Sequence, residues 1–204
     1  MSRIFSFITL LALLLTSQVA SAADKATTIL DKSAAMVKKA GNVNIGFNLT
    51  VEGQSTMGYI KLSGNRFCCS MGNTMTWFNG TTMWHYVKDN EEVNVTTPTA
   101  AEVARMNPYS FLTLYKKGYD VKLTKSTSSE HYITLTGKNK SAAYVEIQVH
   151  INKTSYQPTY IKLTTSRRST EIKVNSFLKN QNYSDATFRF NKKDYPNAEI
   201  VDLR

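Results

Sequence analysis

The sequence predicts an α+β protein built on one curved antiparallel sheet. This is an incomplete β-barrel of about ten or eleven strands, covered by an N-terminal helix and a short helical lid. Three observations predict it. A helical stretch precedes all strands, alternation of apolar and polar residues runs from Val43 almost to the end, and one helical interruption, Thr96 to Gly118, falls midway.

Residues 1–22 read as a signal peptide. Arg3 supplies the positive n-region, Phe5 to Leu15 a mostly apolar run, and Ala20-Ser21-Ala22 a small-x-small cleavage site. The run is shorter than the roughly 20 residues of a membrane span, and no Cys follows the site to take a lipid anchor. Residues 23–204 are therefore expected as a single exported, soluble domain. The 204 residues carry 25 Lys and Arg against 15 Asp and Glu, a formal net charge of +10, or near +9 without Arg3. The cations come as scattered doublets such as Lys38-Lys39 and Arg167-Arg168, not as the stripe of a nucleic-acid groove. No nucleic-acid partner is expected. Cys68 and Cys69 are adjacent and, on a strand, point to opposite faces, so no structural disulfide is expected between them.

Each element has its own reason. Ala26, Ile29, Leu30, Ser33, Met36, Val37 and Ala40 recur at helical spacing, with Asp24 as the cap and Gly41 as the stop. Val43, Ile45, Phe47, Leu49 and Val51 then alternate with polar residues, as a half-buried strand requires. Ile60 with Leu62, Ile133 with Leu135, Val145 through Ile151, Ile161 with Leu163, Ile172 with Val174 and finally Phe188 with Phe190 continue the series. Inside the interruption, Thr99 and Glu102 form a capping box, and Asn107-Pro108 opens a second short helix.

The stretch TWFNGTTMWHYV, Thr76 to Val87, predicts a hairpin with Asn79-Gly80 at its tip. That register puts Met75, Trp77, Trp84 and Tyr86 on one face and Thr76, Phe78, Met83 and His85 on the other. The more aromatic set is expected to face inward, towards the helices, with His85 outside. From pattern alone the inside is either a packed core or a cavity, since one helix and a short lid are thin cover for so many strands.

Catalysis finds little support. The only histidines are His85, His131 and His150, and metal-protease, nucleophile-elbow and phosphate-loop motifs are absent. Neither an enzyme activity, a metal nor a cofactor is expected.

The order of these elements resembles the LolA-type periplasmic carriers of outer-membrane lipoproteins. The likeness rests on Gly58-Tyr-Ile-Lys-Leu62, Phe67, the hairpin Trp77-Phe-Asn-Gly-Thr-Thr-Met-Trp-His-Tyr86, Glu92-Val93 and the closing segment from Phe188. It implies an open barrel whose cavity takes the acyl chains of lipoproteins. Phe47, Leu49, Ile60, Phe67, Trp77, Trp84 and Tyr86 would form its wall, and Met106, Phe111 and Leu112 its lid. It also implies a periplasmic monomer that works between an inner-membrane lipoprotein-releasing ABC transporter and an outer-membrane acceptor. The family's Arg-Pro before the aromatic strand is replaced here by Ser63-Gly64, with Arg66 out of register. A sensor that uses the same groove without transport is the alternative.

Overall fold

A computed structural model describes residues 23–106, 115–116, 118–139 and 142–204. The expected leader and the second lid helix, with Phe111 and Leu112, lie outside the described residues. Helix α1 covers residues 23–39 and already includes Asp24, so that residue is not its cap. Thr28 Oγ1 donates back to the Asp24 carbonyl at 2.8 Å. At the other end the Ala40 N–H reaches Met36 O at 3.0 Å, and Gly41 follows at φ +66°, the left-handed stop that its lack of a Cβ permits.

Twelve strands form one sheet. They are β1 (Val43–Val51), β2 (Gln54–Ser63), β3 (Arg66–Met71), β4 (Thr74–Phe78), β5 (Met83–Val87), β6 (Glu92–Thr96), β7 (Tyr119–Ser126), β8 (Glu130–Gly137), β9 (Glu146–Asn152), β10 (Pro158–Thr164), β11 (Ser169–Leu178) and β12 (Glu199–Asp202). The order is β12-β6-β5-β4-β3-β2-β1-β11-β10-β9-β8-β7, antiparallel throughout except for the parallel pair β12 and β6. The sheet is curved and does not close, as the sequence predicts.

α1 lies against the concave face. Under it Ile133, Leu135, Ile147, Val149, Ile151 and Ile161 are at most 1% exposed, which makes the β8–β10 wing a dry core. Close approach between strands at β2 is set by Gly58: a Cβ there would lie 2.6 Å from the Ser70 carbonyl oxygen and 2.9 Å from the Phe47 ring. A paired backbone cannot retreat from such a contact. Gly58→Ala is therefore expected to destabilise the fold by about 1–3 kcal/mol, read as a lower denaturant midpoint at unchanged slope.

Helix α2 (Ala100–Met106) starts with the predicted capping box. The Thr99 N–H and hydroxyl both donate to Glu102 Oε2 at 2.8 Å, and the Glu102 N–H reaches Thr99 Oγ1 at 3.3 Å.

The C-terminal segment departs from expectation. Phe188 and Phe190 do not pair as a strand. Phe188 ends a 3₁₀ turn, Asp185–Phe188, and a second turn, Lys192–Asp194, precedes β12. The reason is topological. Both sides of β11 are already occupied, by β1 and β10. After Leu178 the Asn180 and Gln181 N–H groups bond to the Ala40 and Asn42 carbonyls at 3.2 and 2.9 Å, and the chain passes to the convex face. There it packs as a strap and then joins the sheet at the β6 edge through β12.

Candidate binding face

The two faces of β3–β6 carry different clusters. On the concave face Leu62, Phe67, Phe78, Met83 and Thr96 stand opposite one another across five strands, and the Phe67 and Phe78 ring centroids are 5.4 Å apart. Phe67, Phe78 and Met83 join Phe47, Ile60 and the residues of α1 in one core, with Leu49 packed against it. Of the expected cavity wall, Phe47, Leu49, Ile60 and Phe67 are thus brought together.

Trp77, Trp84 and Tyr86 are not part of it. Trp77 faces Trp84 directly, one residue out of phase with the Phe78–Met83 pair, so all three aromatics point to the convex face. They meet Phe188, Phe190, Tyr195 and Ala198 of the strap there. The Trp77 ring lies edge-on to Phe190 at 5.6 Å and to Tyr195 at 5.4 Å. Arg66 pins the strap: it pairs with Asp185, donates to Ser63 Oγ at 3.1 Å and sits 4.8 Å over the Phe188 ring. The hairpin tip is Gly80-Thr81 rather than Asn79-Gly80. Asn79 Oδ1 accepts from the Thr81 and Thr82 N–H groups at 3.0 and 2.8 Å, and Gly80 alone in the loop has a positive φ. The resulting register differs from the expected one by two residues, which preserves the faces. Only their direction is reversed.

The reversal brings His85 onto the concave face. A polar row, Cys69, Thr76, His85 and Asn94, runs across β3–β6 next to the Phe67–Thr96 row. Thr76 is buried, and its hydroxyl lies 2.9 Å from His85 Nδ1. Asn94 Nδ2 donates to Glu92 Oε1 at 2.5 Å. Burial pushes the His85 imidazole below its ordinary value, so the ring is neutral at pH 7. Both cysteines are free and covered, Cys68 beneath the strap and Cys69 on the concave face. Burial pushes their thiols up to about 11 and about 12, which keeps them protonated and inert.

A pocket of about 530 Å³ opens at the Met83–Thr96 end of this face, lined by Met83, Thr96, Thr97, Pro98, Glu102, Met106, Leu203 and Arg204. Its floor is Met83, and its rim carries the exposed apolar residues Met106 and Leu203. Its charged residues are paired within the chain: Glu102 with Thr99, and Arg204 with Asp202, whose carboxyl that guanidinium holds down to about 2. Met106, expected in the lid, lines this pocket. Phe78, Met83 and Leu203 are contributors that the aromatic set obscures. Among the described residues no group of three or more His, Cys, Asp or Glu is placed to hold a metal ion, and no helix is long and apolar enough to cross a membrane.

Comparison with solved structures places the fold among known ones. A conserved protein of Thermus thermophilus superposes with a TM-score of 0.60 at 12% identity, over 87% of this chain and 99% of that one. An outer membrane lipoprotein-sorting protein domain from Vibrio parahaemolyticus gives 0.47 at 11% identity, over 85% and 99%. The Mycobacterium tuberculosis lipoprotein LppX gives 0.49 at 12%, over 79% and 99%. No curated protein matches by sequence. The profile of the family described as outer membrane lipoprotein carrier protein LolA matches residues 16–170, and the chain belongs to that family.

Proposed function

We propose that the protein is a periplasmic carrier, not an enzyme, that binds the acyl chains of lipoproteins on the concave face and passes them to the outer membrane. The observation that supports this most is the pocket of about 530 Å³ between Met83, Met106 and Leu203, in a chain of the lipoprotein-carrier family. Its size lies within the range of small-ligand sites. Behind Met83, the buried Phe67 and Phe78 continue as an apolar core towards Phe47, Leu49 and Ile60.

The energetics suit a carrier. Each buried methylene contributes about 0.8 kcal/mol. Ten of them give ~8 kcal/mol, which before the costs of association corresponds to about micromolar binding. A load held this weakly is extracted from a membrane only with help and is given up readily. In this reading an inner-membrane lipoprotein-releasing ABC transporter supplies the load, an outer-membrane acceptor receives it, and the protein acts as a monomer.

Protein purified from its own periplasm is expected to carry acylated lipoproteins detectable by mass spectrometry. Delipidated protein is expected to bind a palmitoylated peptide with a micromolar Kd. Failure to take up that peptide, in protein whose Trp emission reports the folded state, overturns the reading.

A further inference from the structure

Resting on that reading, we propose that His85 and Asn94 form a polar subsite. It would hold the carbonyl linking an acyl chain to its carrier molecule, so that the site selects acylated ligands over plain alkyl chains. The inference starts from register. His85 follows Met83 by two residues on β5, and Asn94 precedes Thr96 by two on β6, so each pair shares the concave face. Two residues of a strand span about 7 Å. A chain end seated on Met83 and running along the strands therefore meets a directly opposed His–Asn pair within a few methylenes.

A site for hydrocarbon alone has no use for that pair. Covering a polar row with methylenes strips its water and returns nothing, whereas the neighbouring row shows that Phe and Met fit the same strands. The row is also arranged so that capacity is left over. Thr76 occupies His85 Nδ1, and Nε2 has no partner among the described residues. With the Thr76 hydroxyl donating to Nδ1, the proton of the neutral ring sits on Nε2 and donates to a carbonyl oxygen. Asn94 uses one amide hydrogen on Glu92 and keeps the other.

The test uses delipidated wild-type protein and two peptides that differ at one cysteine. One carries an S-palmitoyl thioester, the other an S-hexadecyl thioether of equal chain length. The wild type is expected to bind the thioester about tenfold more tightly, the yield of one or two net hydrogen bonds. His85→Leu with Asn94→Leu is expected to remove the preference by weakening thioester binding relative to the thioether, whose affinity holds or rises because the polar row no longer has to be stripped of water. A packing role for the pair would lower both affinities together, and that outcome overturns the proposal. Equal wild-type affinity for both peptides also overturns it but leaves the carrier reading standing. Binding of neither peptide overturns both. Should the double variant not fold, the wild-type pair of affinities decides.

Discussion

Phe188→Ala is expected to lower the free energy of unfolding by about 3–5 kcal/mol, the cost of deleting a fully buried aromatic ring and leaving a cavity. Phe188 is 0% exposed although it lies on the convex side of the sheet, outside the helix-covered core. It has Cys68 and Trp77 beneath it, the Tyr183 ring edge-on at 5.7 Å and the Arg66 guanidinium above. No neighbouring side chain can collapse into its place, because Trp77 and Tyr195 already fill theirs against each other. The loss is expected in urea titrations. It should be accompanied by faster modification of Cys68, which is 2% exposed under the strap. A cost below about 1 kcal/mol, with Cys68 still protected, would mean that the strap is held by β12 and the Arg66–Asp185 pair alone.

Most of the sheet is legible in the sequence because period-two alternation is a local property. Val43 to Val51 needs no knowledge of the rest of the chain to declare a face, and neither do the Thr99–Glu102 box or Gly41. Which face is inward is not local. The hairpin carries two apolar pairs, Phe78 with Met83 and Trp77 with Trp84, and the sequence offers no reason to rank them except size. Ranking by size sends Trp77, Trp84 and Tyr86 inward and His85 outward. The information that decides the matter lies a hundred residues away, in Phe188, Phe190 and Tyr195, a second set of aromatics too large to be left in water. Read as a last strand beside β11, they have no free neighbour to join, since β1 and β10 flank it. Read as a cover, they explain why the hairpin needs large apolar side chains on both faces. Leu203 is invisible to sequence reading for the same reason, since it reaches the pocket only through the parallel pairing of β12 with β6, where its N–H bonds to Val95 O at 2.8 Å.

The carrier reading meets its strongest test at the pocket rim. Met106 is 39% exposed and Leu203 60%, so a charge at either position stays hydrated in the free protein. Met106→Asp combined with Leu203→Asp is expected to leave stability within about 0.5 kcal/mol per site. An acyl chain laid over them must strip two carboxylates of water with no countercharge to replace it, since Arg204 is already committed to Asp202 through contacts of 2.9 and 3.2 Å from its Nε. Affinity for a palmitoylated peptide is expected to fall about 100-fold or more, equivalent to about 2.8 kcal/mol. The matching Lys pair separates desolvation from attraction or repulsion of a charged peptide, because desolvation lowers affinity with either sign. Binding that survives both pairs unchanged would place the chains away from this pocket. Because α1 seals the β8–β10 wing, the carrier reading would then lose the observation that supports it most.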